Sequence, residues 1–144
     1  QVLRNGYYYT GDLGYADEDG YIFLTGRSRD IIKAGGNRVS AKVIEDVISE
    51  IPGVLEAAVI GVKDEILGEA IKAFVVPSAP TLSKDGVKDH LARRLPTFKH
   101  PKWLEFRDSL PKNQSGKILK SVLREVTTNP APGCGPELVT GSDF

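Results

Sequence analysis

A chain of 144 residues with 19 basic and 19 acidic side chains, 40% hydrophobic and 26% charged, has the composition of one folded domain and is too apolar for a disordered segment. Uninterrupted apolar stretches such as Ala57 to Ile60 fall far short of the roughly 18 residues a membrane-spanning helix needs. A lone Cys134 builds neither a disulfide framework nor a metal cluster, and it points to a reducing, cytoplasmic compartment.

The zero net charge hides an asymmetry. Residues 1–72 hold 8 basic and 12 acidic side chains, whereas residues 73–144 hold 11 and 7. All of those later basic residues fall between Lys84 and Arg124, against Asp85, Asp89, Glu105 and Asp108, so that window carries +7. It reads either as a solvated basic face or as a surface that meets something anionic. A chain that opens at Gln1 and contains no methionine is expected to be processed or to be a piece of something longer.

In chain order, the first 28 residues read as tight β structure. Tyr7 to Tyr9 are strand formers, and Asp19-Gly20 is a hairpin turn before the run Tyr21-Ile22-Phe23-Leu24. Asp30 to Lys33 and Arg38-Val39 flank Gly35-Gly36 as a further hairpin. Ser40 is a candidate N-cap for a helix with apolar positions Val43, Ile44, Val47, Ile48 and Ile51, stopped by Pro52-Gly53. Val54 to Val62 and Ile71 to Val76 are expected to be the central strands of a small sheet. Ser83 opens a second helix with Val87, Leu91 and Leu95, Lys102 to Arg107 reads as an edge strand, and Ile118, Leu119, Val122, Leu123 and Val126 form the buried stripe of a third helix. From 128 onward the Pro/Gly-rich sequence predicts a flexible tail. Strands and helices without strict βαβ alternation argue for an α+β fold: a short mixed or antiparallel sheet flanked by about three helices, preceded by β-hairpins.

Four constellations carry candidate chemistry. Asp12, within Thr10-Gly11-Asp12-Leu13-Gly14, is either a turn residue capping its own backbone or a carboxylate that accepts a pair of vicinal hydroxyls. Gly26-Arg27-Ser28-Arg29-Asp30 sets two guanidiniums beside an acid, suited to an anion or to a surface ion pair. The glycine pair before Asn37-Arg38 is either hairpin geometry or a smooth surface for a substrate. Ser115-Gly116-Lys117 fails as a phosphate loop, because Pro111 and Ile118 occupy the places where that motif needs Gly and Ser or Thr. It leaves a lysine on a turn, either solvated or serving as a point charge against developing negative charge.

The order of these blocks resembles the C-terminal portion of the adenylate-forming superfamily, which includes acyl-CoA synthetases, carrier-loading adenylation domains and luciferases. The carrying stretches are YYYTGDLG at 7–14, GYIFLTGRSRDIIKAGGNRVS at 20–40, IEDVISEIPGVLEAAVIGV followed by GEAIKAFVV, and LPKNQSGKILKSVLRE at 110–125. The resemblance implies an enzyme that activates a carboxylic acid with ATP to an acyl-adenylate, releases pyrophosphate, and passes the acyl group to coenzyme A. By resemblance, Asp12, Arg27 and Thr10 contact the nucleotide, Lys117 is catalytic in adenylation, and Arg29 is the hinge, where Asp or Lys is usual. Gly35, Gly36 and Arg38 match the loop that serves the pantetheine arm of coenzyme A. The basic window at 84–124 would suit that cofactor's phosphates. No metal ligand is expected here, Mg being supplied through a larger N-terminal domain that also holds the phosphate loop and the acid pocket. Residues 1–28 then end that larger domain, 29–127 form a mobile lobe, and the isolated piece is expected to be inactive. The partners implied are the acid, ATP or AMP, coenzyme A and the protein's own N-terminal domain, with no nucleic acid and no membrane span. The alternatives are an adenylation domain that loads a carrier protein and a non-catalytic binding module.

Overall fold

The computed structural model describes residues 3–128; the tail expected over 128–144 and Cys134 lie outside the described residues, apart from the backbone of Thr128. Leu3–Arg4 (β1) and Tyr7–Tyr8 (β2) pair as a short antiparallel ribbon. Asp12–Ala16 (β3) and Ile22–Arg27 (β4) form a second hairpin. Asp17 Oδ1 closes its turn, accepting from the amides of Asp19 at 3.1 Å and Tyr21 at 2.8 Å. The register shifts between Leu13 and Gly14, where a Cβ would sit 2.6 Å from the Phe23 carbonyl oxygen. Only glycine fits that approach.

A 3-10 turn at Ser28–Asp30 leads into Ile31–Ala34 (β5) and Asn37–Ser40 (β6). Gly35 and Gly36 join them with φ of +56° and +82°, both in the left-handed region that a two-residue hairpin turn of this hand demands. Then follow helix Ala41–Ser49 (α1), strands Val54–Asp64 (β7) and Gly68–Pro77 (β8), helix Lys84–Arg94 (α2), strand Trp103–Phe106 (β9) and helix Lys120–Thr128 (α3). The five later strands make one sheet in the order β6-β5-β8-β7, with β9 parallel to β8 and all other pairs antiparallel. The expected mixed α+β architecture is what folds.

Of the two runs expected to be central, only β8 is. β7 pairs with β8 alone and lies at an edge. It reads as a central strand because apolar layers cover both its faces, which removes the polar alternation of a half-solvated strand. Val59, Ile71, Ala73 and Val75 pack with Ile44, Ile48, Val87 and Leu91 from α1 and α2. Their neighbours Ala58, Ile60, Val62, Phe74 and Val76 point the other way and pack with Leu110 and Leu123, the latter from α3.

The helices depart from the sequence pattern in several details, the first being that Ile118 and Leu119 precede α3, which begins at Lys120. Ser83 caps α2 through a 3.1 Å bond from the Gly86 amide to its Oγ, but Ser40 at the start of α1 makes no such bond. Val43 and Val126 are exposed and leave their helical stripes, because the sheet covers only the faces carrying Ala41, Ile44, Val47 and Ile48 in α1 and Leu123 in α3.

The charge asymmetry is answered largely inside the molecule. Arg94 pairs with Glu50 at 2.9 Å, Lys102 with Asp64 at 2.5 Å and Lys120 with Glu45 at 2.8 Å, and Lys112 also pairs with Glu56. Each of these pairs joins the basic window to an acid of the first half. Much of the window is therefore engaged by the chain's own carboxylates, which weakens its reading as a cofactor-phosphate surface.

Candidate functional site

An open cleft of about 850 Å³ runs between the β3–β4 hairpin, α1 and the segment before α3. Asp12, Arg27 and Lys117 all line it. Asp12 and Arg27 meet there because they are register partners at the open end of the hairpin, which turns their side chains to one face. Arg27 Nε donates to Asp12 Oδ1 over 3.0 Å, so the two form an ion pair. A carboxylate offers about four acceptor sites, which leaves capacity for a pair of ligand hydroxyls.

Lys117 comes from a turn with a defined backbone. Asn113 Oδ1 accepts from the amides of Ser115 at 3.0 Å and Lys117 at 2.9 Å and from Ser115 Oγ at 2.7 Å, and the Asn113 amide donates to the Lys117 carbonyl over 2.9 Å. A bridge between Lys112 and Ile118 closes the base. Lys112 and Lys120, on either side, are bound to Glu56 and Glu45. Lys117 is exposed, and among the described residues no hydrogen-bond or ion-pair partner holds its ammonium. The geometry thus presents one uncommitted cation opposite an Arg–Asp pair, an arrangement that can receive a polyanion carrying a diol.

The remaining candidates lie elsewhere. Thr10 Oγ1 accepts from the Asp12 amide over 3.1 Å and lines a side groove shared with Asp12, so it shapes the backbone that carries the carboxylate. Arg29 is exposed within the 3-10 turn, and its carbonyl accepts from Arg124 over 3.5 Å. Gly35 lines a separate recess of about 230 Å³ that shares no lining residue with the main cleft. Gly36 and Arg38 are exposed on the same hairpin.

Two groups escaped the sequence reading. Asn113 organises the Lys117 turn, and an Asx turn two residues before Ser115 was available as its signal. Glu45 accepts from Lys120 and from the Val59 amide at 2.8 Å each, tying α1 to the cleft floor, and no local pattern announces it. No group of three or more His, Cys, Asp or Glu among the described residues could hold a metal ion, and no helix there is long and apolar enough to cross a membrane.

Comparison with known proteins bears on the family of the chain. The model of the AMP-binding enzyme C-terminal domain matches residues 43–117, more than half of the chain. The Bacillus subtilis (strain 168) protein YdaB is 46% identical over 125 residues, which make up 86% of this chain and 25% of YdaB. A long-chain-fatty-acid–CoA ligase of Escherichia coli O6:H1 is 41% identical over 87% of this chain and 22% of its own length. Among solved structures, ATP-bound MatB from Rhodopseudomonas palustris superposes with a TM-score of 0.82 at 42% identity, covering 89% of this chain and 26% of MatB. The chain spans about a quarter of the length of these relatives. The chain therefore belongs to the AMP-binding enzyme family, and its residues 43–117 carry that family's C-terminal domain.

Proposed function

We propose that the chain is the C-terminal portion of an ATP-dependent acyl- or aryl-CoA ligase, which joins a carboxylic acid to AMP with release of pyrophosphate and then transfers the acyl group to coenzyme A. The observation that carries this reading is the gathering of Asp12, Arg27 and Lys117 into one cleft. Its volume of about 850 Å³ is within the range of small-molecule sites, and its charges suit a nucleotide, so the residues present fit ATP. The relatives, named as acyl-CoA ligases and as an ATP-bound enzyme, support the same reading.

In this reading Asp12 holds the ribose hydroxyls, with Thr10 fixing its backbone and Arg27 its carboxylate. Lys117 lies between the attacking carboxylate oxygen and the α-phosphate and offsets charge that grows in the in-line transition state. The lobe then turns about Arg29, and the Gly35-Gly36 turn, with no side chain to obstruct it, admits the pantetheine arm beside Arg38. The exposed Tyr7, Tyr8, Tyr15, Ile22 and Leu24 of the two hairpins are the side chains that pack on a larger N-terminal domain, which would carry the acid pocket and the phosphate loop. The cytoplasm is the setting where coenzyme A and ATP meet such an enzyme.

The test is product stoichiometry of the complete protein with ATP, coenzyme A and a panel of fatty and aryl acids. Acyl-CoA, AMP and pyrophosphate in equal amounts are expected, whereas ADP with phosphate contradicts the mechanism. Acyl transfer to a carrier protein in preference to coenzyme A would select the carrier-loading alternative.

A further inference from the structure

We infer that Asp64 is a positioning residue for thioester formation: by fastening the β7–β8 turn, it holds Leu67 against the Gly35-Gly36 turn and sets where that turn can stand. Asp64 ends β7, and its side chain is only 6% exposed. Oδ1 accepts from the amides of Ile66 at 3.0 Å and Leu67 at 2.9 Å, which folds residues 64–68 into a tight turn. Oδ2 accepts from Lys102 Nζ at 2.5 Å, and Lys102 is itself fixed by its amide, which donates to the Ile71 carbonyl over 2.8 Å. One carboxylate thereby closes the turn and ties it, through Lys102, to Ile71 of β8.

Its outer side reaches the glycine turn. The Leu67 carbonyl accepts from the Gly35 amide at 3.0 Å, and Leu67 Cδ2 lies 3.2 Å from the place a Gly35 Cβ would take. Ala34 pairs with Gly68 as the one bridge between β5 and β8. On the neighbouring residue, Glu69 Oε2 accepts from the Lys33 amide over 2.7 Å. The glycine turn therefore depends on the 64–68 turn for its backing, since its only other ladder runs within its own hairpin, to β6. Asp64, by contrast, lines none of the Asp12–Lys117 cleft. Adenylate chemistry and the backing of the glycine turn are thus served by different side chains. A shift of the glycine turn by an ångström would disturb the acceptor thiol without touching the nucleotide.

This inference rests on the proposed role of the Gly35-Gly36 turn, so its experiment carries a control for that role. In the complete enzyme, acid-dependent ATP–pyrophosphate exchange reports adenylation, and the reaction of coenzyme A with a chemically made adenylate of the best acid from the panel reports thioester formation. Asp64→Ala is expected to slow thioester formation about tenfold or more while exchange stays within about twofold. Equal losses in both steps would make Asp64 merely structural, and no loss in either would remove its role; both overturn the inference. Should Asp64→Ala not fold, Lys102→Met leaves the turn's own amide bonds in place and is expected to show the same split at smaller amplitude; without a split the inference falls. Gly36→Ala, which strains a backbone at φ +82° with open space around it, is expected to slow thioester formation alone. If Gly36→Ala has no effect on that step, the reading of the loop fails; if it slows the step and Asp64→Ala does not, only the positioning role fails.

Discussion

Asp64 is also where the protein's response to acid is most legible. The hydrogen bond from Lys102, followed by that from the Leu67 amide, lowers its pKa from 3.8 to about 2, against the opposing effect of burial. A carboxyl whose folded pKa is depressed adds stability that is complete above its unfolded value and is lost as pH falls from about 4 toward 2. Urea midpoints measured between pH 5 and pH 2 should therefore drop more steeply for the native sequence than for Asp64→Asn, which has no such proton to take up; parallel curves would contradict this assignment. Glu105 is shifted in the same direction. Burial pushes its pKa up, but the bonds from Lys72 and Arg107 outweigh that and leave it lowered. Lys72 is 7% exposed on the central strand, 2.8 Å from Glu105 and 4.9 Å from the centre of the Phe74 ring. Glu105→Ala strands that ammonium, so a loss of about 1–3 kcal/mol in chemical denaturation is expected, and recovery by adding Lys72→Met would confirm the cause.

The elements show what a linear pattern reveals and what it hides. Spacing within one element was readable: the Gly35-Gly36 hairpin, the Ser83 cap and the β character of β7 and β8 all follow from neighbours a few residues apart. Relations between elements were not. The pattern makes β7 a central strand because burial on two faces writes the same apolar run wherever the strand lies in the sheet. It counts Val43 and Val126 as core because periodicity does not say how wide a stripe the sheet will cover. At the site, Asp12, Arg27 and Lys117 were each visible as candidates from their local sequence, with their roles supplied by resemblance; their meeting depends on a hairpin register and on the position of α3. Asn113 was legible as an Asx turn, whereas Glu45 and Lys120 are distant in sequence and pair only after folding. The β3–β4 hairpin offers a sharp test of this element-level account. Gly14→Ala sets a Cβ 2.6 Å from the Phe23 carbonyl, so the hairpin must open. Amide exchange should accelerate along 12–27 and stay unchanged in β7 and β8, and uniform protection would refute the close approach.

At the scale of the molecule, two kinds of surface divide the labour. The sheet with its two apolar layers is internally complete, and the ion pairs from Arg94, Lys102, Lys112 and Lys120 draw the basic second half onto the acidic first half. The hairpins at the start of the chain are the opposite, leaving Tyr8, Ile22 and Leu24 each more than two-thirds exposed. That contrast is what a lobe joined to a larger body would show. The proposed division of labour predicts that the purified 144-residue chain alone gives no acid-dependent ATP–pyrophosphate exchange. The central claim is narrower: one uncommitted lysine, presented by the Asn113 turn, serves adenylation and no other step. Lys117→Ala in the complete enzyme tests it most directly, with both half-reactions measured on the same preparation. Exchange should fall by roughly 10²- to 10³-fold, as for loss of a group that meets developing charge, while thioester formation from supplied adenylate persists. Equal loss of both half-reactions, or full exchange without the lysine, would contradict it.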